Sequence, residues 1–127
     1  MAWTYTYEAC LGTSLVVASG ELTPADGDAC FLQALQDPHF GPNARVLYDY
    51  LQIAETGDSM KTVLTFRYHD YFSPTARRAL LLSPTHSSEF EDLHARHLVP
   101  GQLRAFTDRD EALDWLHDGV PPWKRLL

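Results

Sequence analysis

The sequence predicts an α/β domain: an N-terminal hairpin, then alternating strands and helices, built as a mixed, mostly parallel sheet covered by helices. Three observations carry that expectation. "WTYTYE" at 3–8 alternates aromatic and polar residues with the two-residue period of a strand, and "LGTSLVVASG" follows so directly that only residues 9–12 remain for a turn. From Thr23 onward, apolar runs of strand length alternate with patterns of helical period as far as Gly119. The chain has 127 residues, 45% hydrophobic and 21% charged, which suits one globular domain with a core of its own.

The first helix is announced by "LTPAD". Thr23 suits the N-cap, Pro24 the first helical position, and Asp26 the positive end of the helix dipole. Phe31, Leu32 and Leu35 supply an inward stripe, and Asp37-Pro38 stops the helix because a residue before proline leaves the α region. "ARVLYDY" at 44–50 is strand-sized. Residues 59–72 are taken as a helix on the face Met60, Val63, Leu64, Tyr68 and Tyr71, although "TVLTFRY" also passes as a strand. "SPTA" breaks the chain and "RRALLLS" reads as a buried strand. In "SSEFEDLHARHL", Ser88 and Glu91 have the spacing of a capping box, with Phe90, Leu93 and His97 or Leu98 inward. "LRAF" is a short strand. "TDRDEALDWLHDG" opens with acids, turns Ala112, Leu113 and Leu116 inward and closes on Gly119. "VPPWKRLL" cannot extend that helix, so the expected organisation is one domain over 1–119 and a C-terminal tail over 120–127.

Charge narrows the function classes. The formal net charge is −7, and residues 1–58 contain eight acids against Arg45 alone. That distribution argues against nucleic acid as a partner. Lys61, Arg67, Arg77 and Arg78, set against Asp70, form a local basic bias that reads as a solvated surface able to steer a partner or a second copy of the chain. No apolar run approaches the ~20 residues a membrane helix needs, so no integral membrane segment is expected. "MAWTYTYE" has neither a basic start nor an apolar leader core, and the expectation is a cytoplasmic chain. Cys10 and Cys30 read as reduced thiols in no metal spacing. His94 and His97 are one helical turn apart, but no third ligand accompanies them. Neither a metal nor another cofactor is expected.

The one stretch that suggests chemistry is "GDSM" at 57–60, and Ser59 has three readings. As a structural group, Asp58 or Ser59 caps the helix that follows. As a phosphoacceptor, Ser59 places a phosphate at a helix N-terminus, beside Lys61 and among the acids Asp49, Glu55 and Asp58. As a nucleophile, it resembles the Gly-Asp-Ser-Leu block of GDSL-type esterases, with Asp114 and His117 in "DWLH" resembling their late Asp-x-x-His. That block opens an esterase chain, whereas 56 residues precede it here, and no oxyanion-hole glycine or asparagine block is present.

Two further stretches, "LQDPHFGPNARVLYDY" and "LRAFTDRDEALDWL", resemble the strand and helix signatures of bacterial STAS-like proteins. These are similar to anti-sigma-factor antagonists and share fold features with lipid-binding CRAL-TRIO domains. The resemblance covers nearly the whole chain and implies a STAS-like fold. In the antagonists, a serine after the central strand accepts a phosphate that switches partner binding, and Asp58-Ser59 falls about where that Asp-Ser pair stands. Here Met60 follows, where the antagonists have Ser-Gly-Leu.

The expected function is a non-enzymatic regulatory or scaffold module. It would act through an unidentified protein partner or as a homodimer, with Ser59 as candidate phosphoacceptor and Asp49, Asp58, Met60 and Lys61 as contact patch. The alternative is a carrier or sensor of a small apolar ligand, in a pocket lined by Tyr48, Tyr50, Phe66 and Tyr68. A GDSL-like ester hydrolase comes third.

Overall fold

The computed structural model describes residues 2–21, 23–54, 69–94 and 102–118, with Ala2, Leu93 and His94 as backbone alone. The elements are β1 (Ala2–Glu8), β2 (Thr13–Gly20), α1 (Pro24–Ala34), β3 (Val46–Ile53), a 3-10 turn at His69–Tyr71, β4 (Arg77–Leu81), α2 (Pro84–His94), β5 (Gln102–Phe106) and α3 (Arg109–Leu116). The five strands form one sheet in the order β1-β2-β3-β4-β5. β1 is antiparallel to β2, and every other neighbouring pair is parallel. The hairpin expected at 9–12 is present, and Gly12 turns the chain into β2 at φ +58°, a region open to glycine at little cost.

Strand order explains where the helices go. Parallel strands laid down in sequence, joined by crossovers of one hand, place the connecting helices on one face. Phe31 and Ala34 of α1 and Phe90 of α2 accordingly pack in one core with Val16, Ala18, Val46, Tyr50, Leu80, Leu82 and Leu103. α3 follows the last strand and has no crossover to complete. It takes the opposite face, where Ala112 and Leu116 meet Leu47, Ala79 and Leu81. Its last carbonyls are held from the sheet side, since Arg45 Nε, just before β3, donates to Leu116 O at 3.0 Å and Arg77 of β4 donates to Trp115 O. These guanidinium groups supply the positive charge that a helix C-terminus favours.

The first helix starts as expected. Thr23 and Asp26 form a reciprocal capping box with Pro24 in the first turn. Its inward stripe is different: Phe31 and Ala34 are buried, whereas Leu32 is 55% exposed and Leu35 41%. Gly27, Cys30, Phe31 and Ala34 recur at helical spacing and face the sheet, and three of the four are small, which lets the helix lie close. α2 also departs from expectation. It begins at Pro84 rather than Ser88, with the Ser83 hydroxyl accepting from His86 N at 3.3 Å, so Ser88 and Glu91 lie exposed inside the helix and form no cap. The helix expected over 59–72 lies outside the described residues as far as Tyr68, and its described end is the 3-10 turn.

One irregularity shapes β3. Val17 pairs with Asp49 but Ser19 pairs with Gln52, so β3 carries one residue more than β2 over that stretch. The extra residue reverses the alternation of the strand. Tyr50 and Ile53 both enter the α1-side core, while Leu51 is left 41% exposed.

Candidate functional site

Of the residues singled out in the sequence, Asp58, Ser59, Met60, Lys61, Phe66 and Tyr68 lie outside the described residues. Asp49, Tyr48 and Tyr50 all stand on β3 and point two ways. Asp49 belongs to a rim at the C-terminal end of the strand. Its carboxylate accepts from Leu51 N at 3.4 Å and lies 3.7 Å from Arg109, the first residue of α3. The pair is solvated, with 21% of the Asp49 side chain and 46% of the Arg109 side chain exposed, so it orients these groups more than it stabilises the fold. Leu51 stands exposed beside it.

Tyr48 and Tyr50 point the other way and line a cavity of about 60 Å³ between α1 and the sheet. Val16, Val46, Leu80 and Leu103 form its floor, Gly27, Cys30, Phe31 and Ala34 its helical side, and His69 and Arg78 its polar end. Burial pushes both phenols above their ordinary value, Tyr50 well above it, while the Arg78 guanidinium pulls Tyr48 the other way. Burial also pushes the Cys30 thiol up to about 11, which keeps it protonated and unreactive at neutral pH.

Arg78 corrects the sequence reading most sharply. Expected among solvated basic residues, it is 1% exposed. Alternation in β4 sends Arg77 to the α3 side and Arg78 to the α1 side. One guanidinium NH2 group lies 3.0 Å from His69 Nδ1, and the guanidinium carbon lies 4.3 Å from the Phe72 ring centroid. A guanidinium only donates, so His69 Nδ1 accepts and its ring proton sits on Nε2. The Tyr48 phenol oxygen accepts from Arg78 as well.

The remaining titratable groups are tied into the framework. Thr13 donates to Leu11 O and so accepts from His117 Nε2 at 2.8 Å, joining the hairpin to the end of α3. His117 is buried at the N-terminal end of β2, while β3 runs to Ile53 at the opposite end before continuing toward Ser59, and Asp114 is exposed. The sheet therefore separates His117 from the strand end that leads to "GDSM". The Tyr5 hydroxyl donates to Asp37 at 2.9 Å, and the Asp37 carboxylate also accepts from His39 N. Tyr7 stacks on His39 with ring centroids 4.0 Å apart. Among the described residues, no group of three or more His, Cys, Asp or Glu could hold a metal, and no helix is long and apolar enough to cross a membrane.

Among the described residues, a hairpin leading into the parallel strands β2 to β5, with α1 and α2 on one face and α3 on the other, defines an α/β domain of STAS-like type. The SpoIIAA-like family model matches residues 15–117, and the chain belongs to that family. In fold it is similar to the crystal structure of an uncharacterized DUF3478-family protein with a SpoIIAA-like fold from Shewanella loihica PV-4. That likeness has a TM-score of 0.55 at 19% identity and covers 91% of this chain and 92% of the other. No curated protein matches the chain.

Proposed function

We propose that this protein is a non-catalytic regulatory module that works by protein contact at the rim formed by the end of β3 and the start of α3. The observation that carries this reading is Leu51. β3 is the middle strand of the sheet, and parallel strands in that position are normally covered on both faces. Leu51 is nevertheless 41% exposed, beside the Asp49–Arg109 pair. An apolar group rimmed by charges on a rigid strand suits a docking surface. Ser59 follows Ile53 by six residues, and a phosphate there would add negative charge close in sequence to a rim that already contains Asp49. We propose Ser59 as the phosphoacceptor that weakens docking.

The contact is tested with a photo-crosslinking residue placed at position 51 in the native host and, as a control, at the exposed Thr85 of α2. A discrete adduct specific to position 51, with a partner or with a second copy, supports the reading. Equal labelling from both positions ends it. The switch is tested separately by phosphopeptide mapping across growth states. A Ser59 that is unmodified in every state removes the switch and leaves the contact surface in place.

A further inference from the structure

A second recess opens at the end of the sheet where β2 and β3 begin. It is a cleft of about 350 Å³ beside the hairpin and the loop that joins α1 to β3, and its polar lining includes Tyr7, His39, Asn43 and Arg45. Two of these are held by the fold with their outer atoms unused. Arg45, alone among Lys and Arg in residues 1–58, is fixed through Nε on Leu116 O at 3.0 Å. The residue is exposed, and its two terminal NH2 groups have no acceptor among the described residues. Asp37 fixes His39 in turn. A carboxylate only accepts, so the 3.0 Å contact with Asp37 Oδ1 places a ring proton on Nδ1. His39 Nε2 has no partner among the described residues; it accepts on the neutral ring and donates on the protonated one. No acid is among the described residues that line the cleft, and both oxygens of nearby Asp37 are engaged by Tyr5 and His39. Gly41 completes the shape. Its φ lies outside the left-handed region and a Cβ there would meet nothing within 4 Å, so the fold itself has room for a side chain at this position.

The open end of the Arg45 fork suits paired oxygens on a carboxylate or a phosphate. His39 separates the two. A carboxylate has no proton to give at neutral pH, whereas a phosphate monoester titrates near about pH 6 and can donate to Nε2 or accept from it. Volume separates the ester from the free ion. About 350 Å³ is the volume of about twelve water molecules at roughly 30 Å³ each, so a bare phosphate would leave most of it open. The cleft falls within the range of roughly 300–1,000 Å³ that small-molecule sites occupy. Tyr7 and His39, with ring planes 4° apart, supply a flat wall. We propose that this cleft binds a small organic phosphate monoester, its phosphate on Arg45 and His39 and its organic group against Tyr7 and over Gly41. The cleft lies at the opposite end of the sheet from the docking rim and uses none of its residues, so each reading can fail without the other.

The probe is phenyl phosphate, added to the full-length protein at neutral pH, with phenyl sulfate and inorganic phosphate as controls at equal ionic strength. The readouts are the Nε–Hε signal of Arg45 and the ring signals of His39 by NMR, with affinity from calorimetry. Phenyl phosphate is expected to shift both residues saturably and to bind at least tenfold more tightly than either control. Arg45→Lys keeps the charge but loses the fork, and is expected to weaken phenyl phosphate at least tenfold. Gly41→Leu fills the cleft where the fold has room, and is expected to abolish the response with the melting temperature unchanged. Phenyl sulfate binding as tightly would mean a site for any organic oxyanion, and inorganic phosphate binding as tightly a bare phosphate site. Either result, or no saturable shift at all, overturns the proposal. The wild-type protein with the three probes decides the matter even where a variant does not fold.

Discussion

Asp37 shows how one side chain can tie the turn that follows a helix to a strand. Its carboxyl is held below its ordinary value of 3.8, first by the backbone N–H of His39, which with the weaker help of the Tyr5 hydroxyl and the His39 ring outweighs the opposing effect of burial. A carboxyl with a depressed folded value stabilises the native state above its unfolded value and loses that contribution as pH falls through the folded one. Wild type should therefore exceed Asp37→Asn in urea midpoint near neutral pH, and the gap should close as the pH falls below about 4. A gap that stays constant to low pH would show that the ionised carboxylate is not what matters. Arg77 and Arg78 teach the complementary lesson. Read as a pair of adjacent charges they suggest a surface, but in a strand covered on both faces neighbouring side chains go to opposite cores. The signal for a buried cation was the "ALLL" that follows them, which leaves β4 no solvent face.

At the scale of elements, legibility followed from how local the determining forces are. The hairpin, α1, β4, β5 and α3 were readable because turn chemistry, caps and period act over a few residues. The start of α2 was misread at Ser88, although Ser83 also fits a cap. Ser83 won because Pro84 follows it, with φ fixed for the first helical turn and no N–H to waste. Ser83→Ala should cost about 1 kcal/mol and Ser88→Ala almost nothing, as measured by urea denaturation. Equal costs would return the cap to Ser88. The inward stripe of α1 was misjudged for a tertiary reason. Hydrophobicity favoured Leu32 and Leu35, but the distance to the sheet favoured Gly27, Cys30 and Ala34, and no local pattern reports that distance. The candidate site was legible in the same proportion. Asp49 and the two tyrosines could be picked from β3, whereas His69 and Arg78 reach the cavity only through packing between segments distant in sequence.

Across the whole molecule, the two faces of the sheet have been put to different uses. The α1 side encloses an apolar interior with a cation in it, and the α3 side ends at the charged Asp49–Arg109 pair. Leu51→Asp should cost less stability than truncating a core leucine, under about 2 kcal/mol, since 41% of the residue is exposed, while abolishing any crosslink from the neighbouring rim. A large loss of stability would instead make Leu51 part of the fold's own packing. The strand order has a consequence for biogenesis. Each strand is added in space where it is added in sequence, so a nascent chain leaving the ribosome can dock every new strand on the edge left by its predecessor. No later segment has to be inserted between two strands already paired. Assembly can thus proceed in the direction of synthesis, with one growing edge that β5 finally becomes.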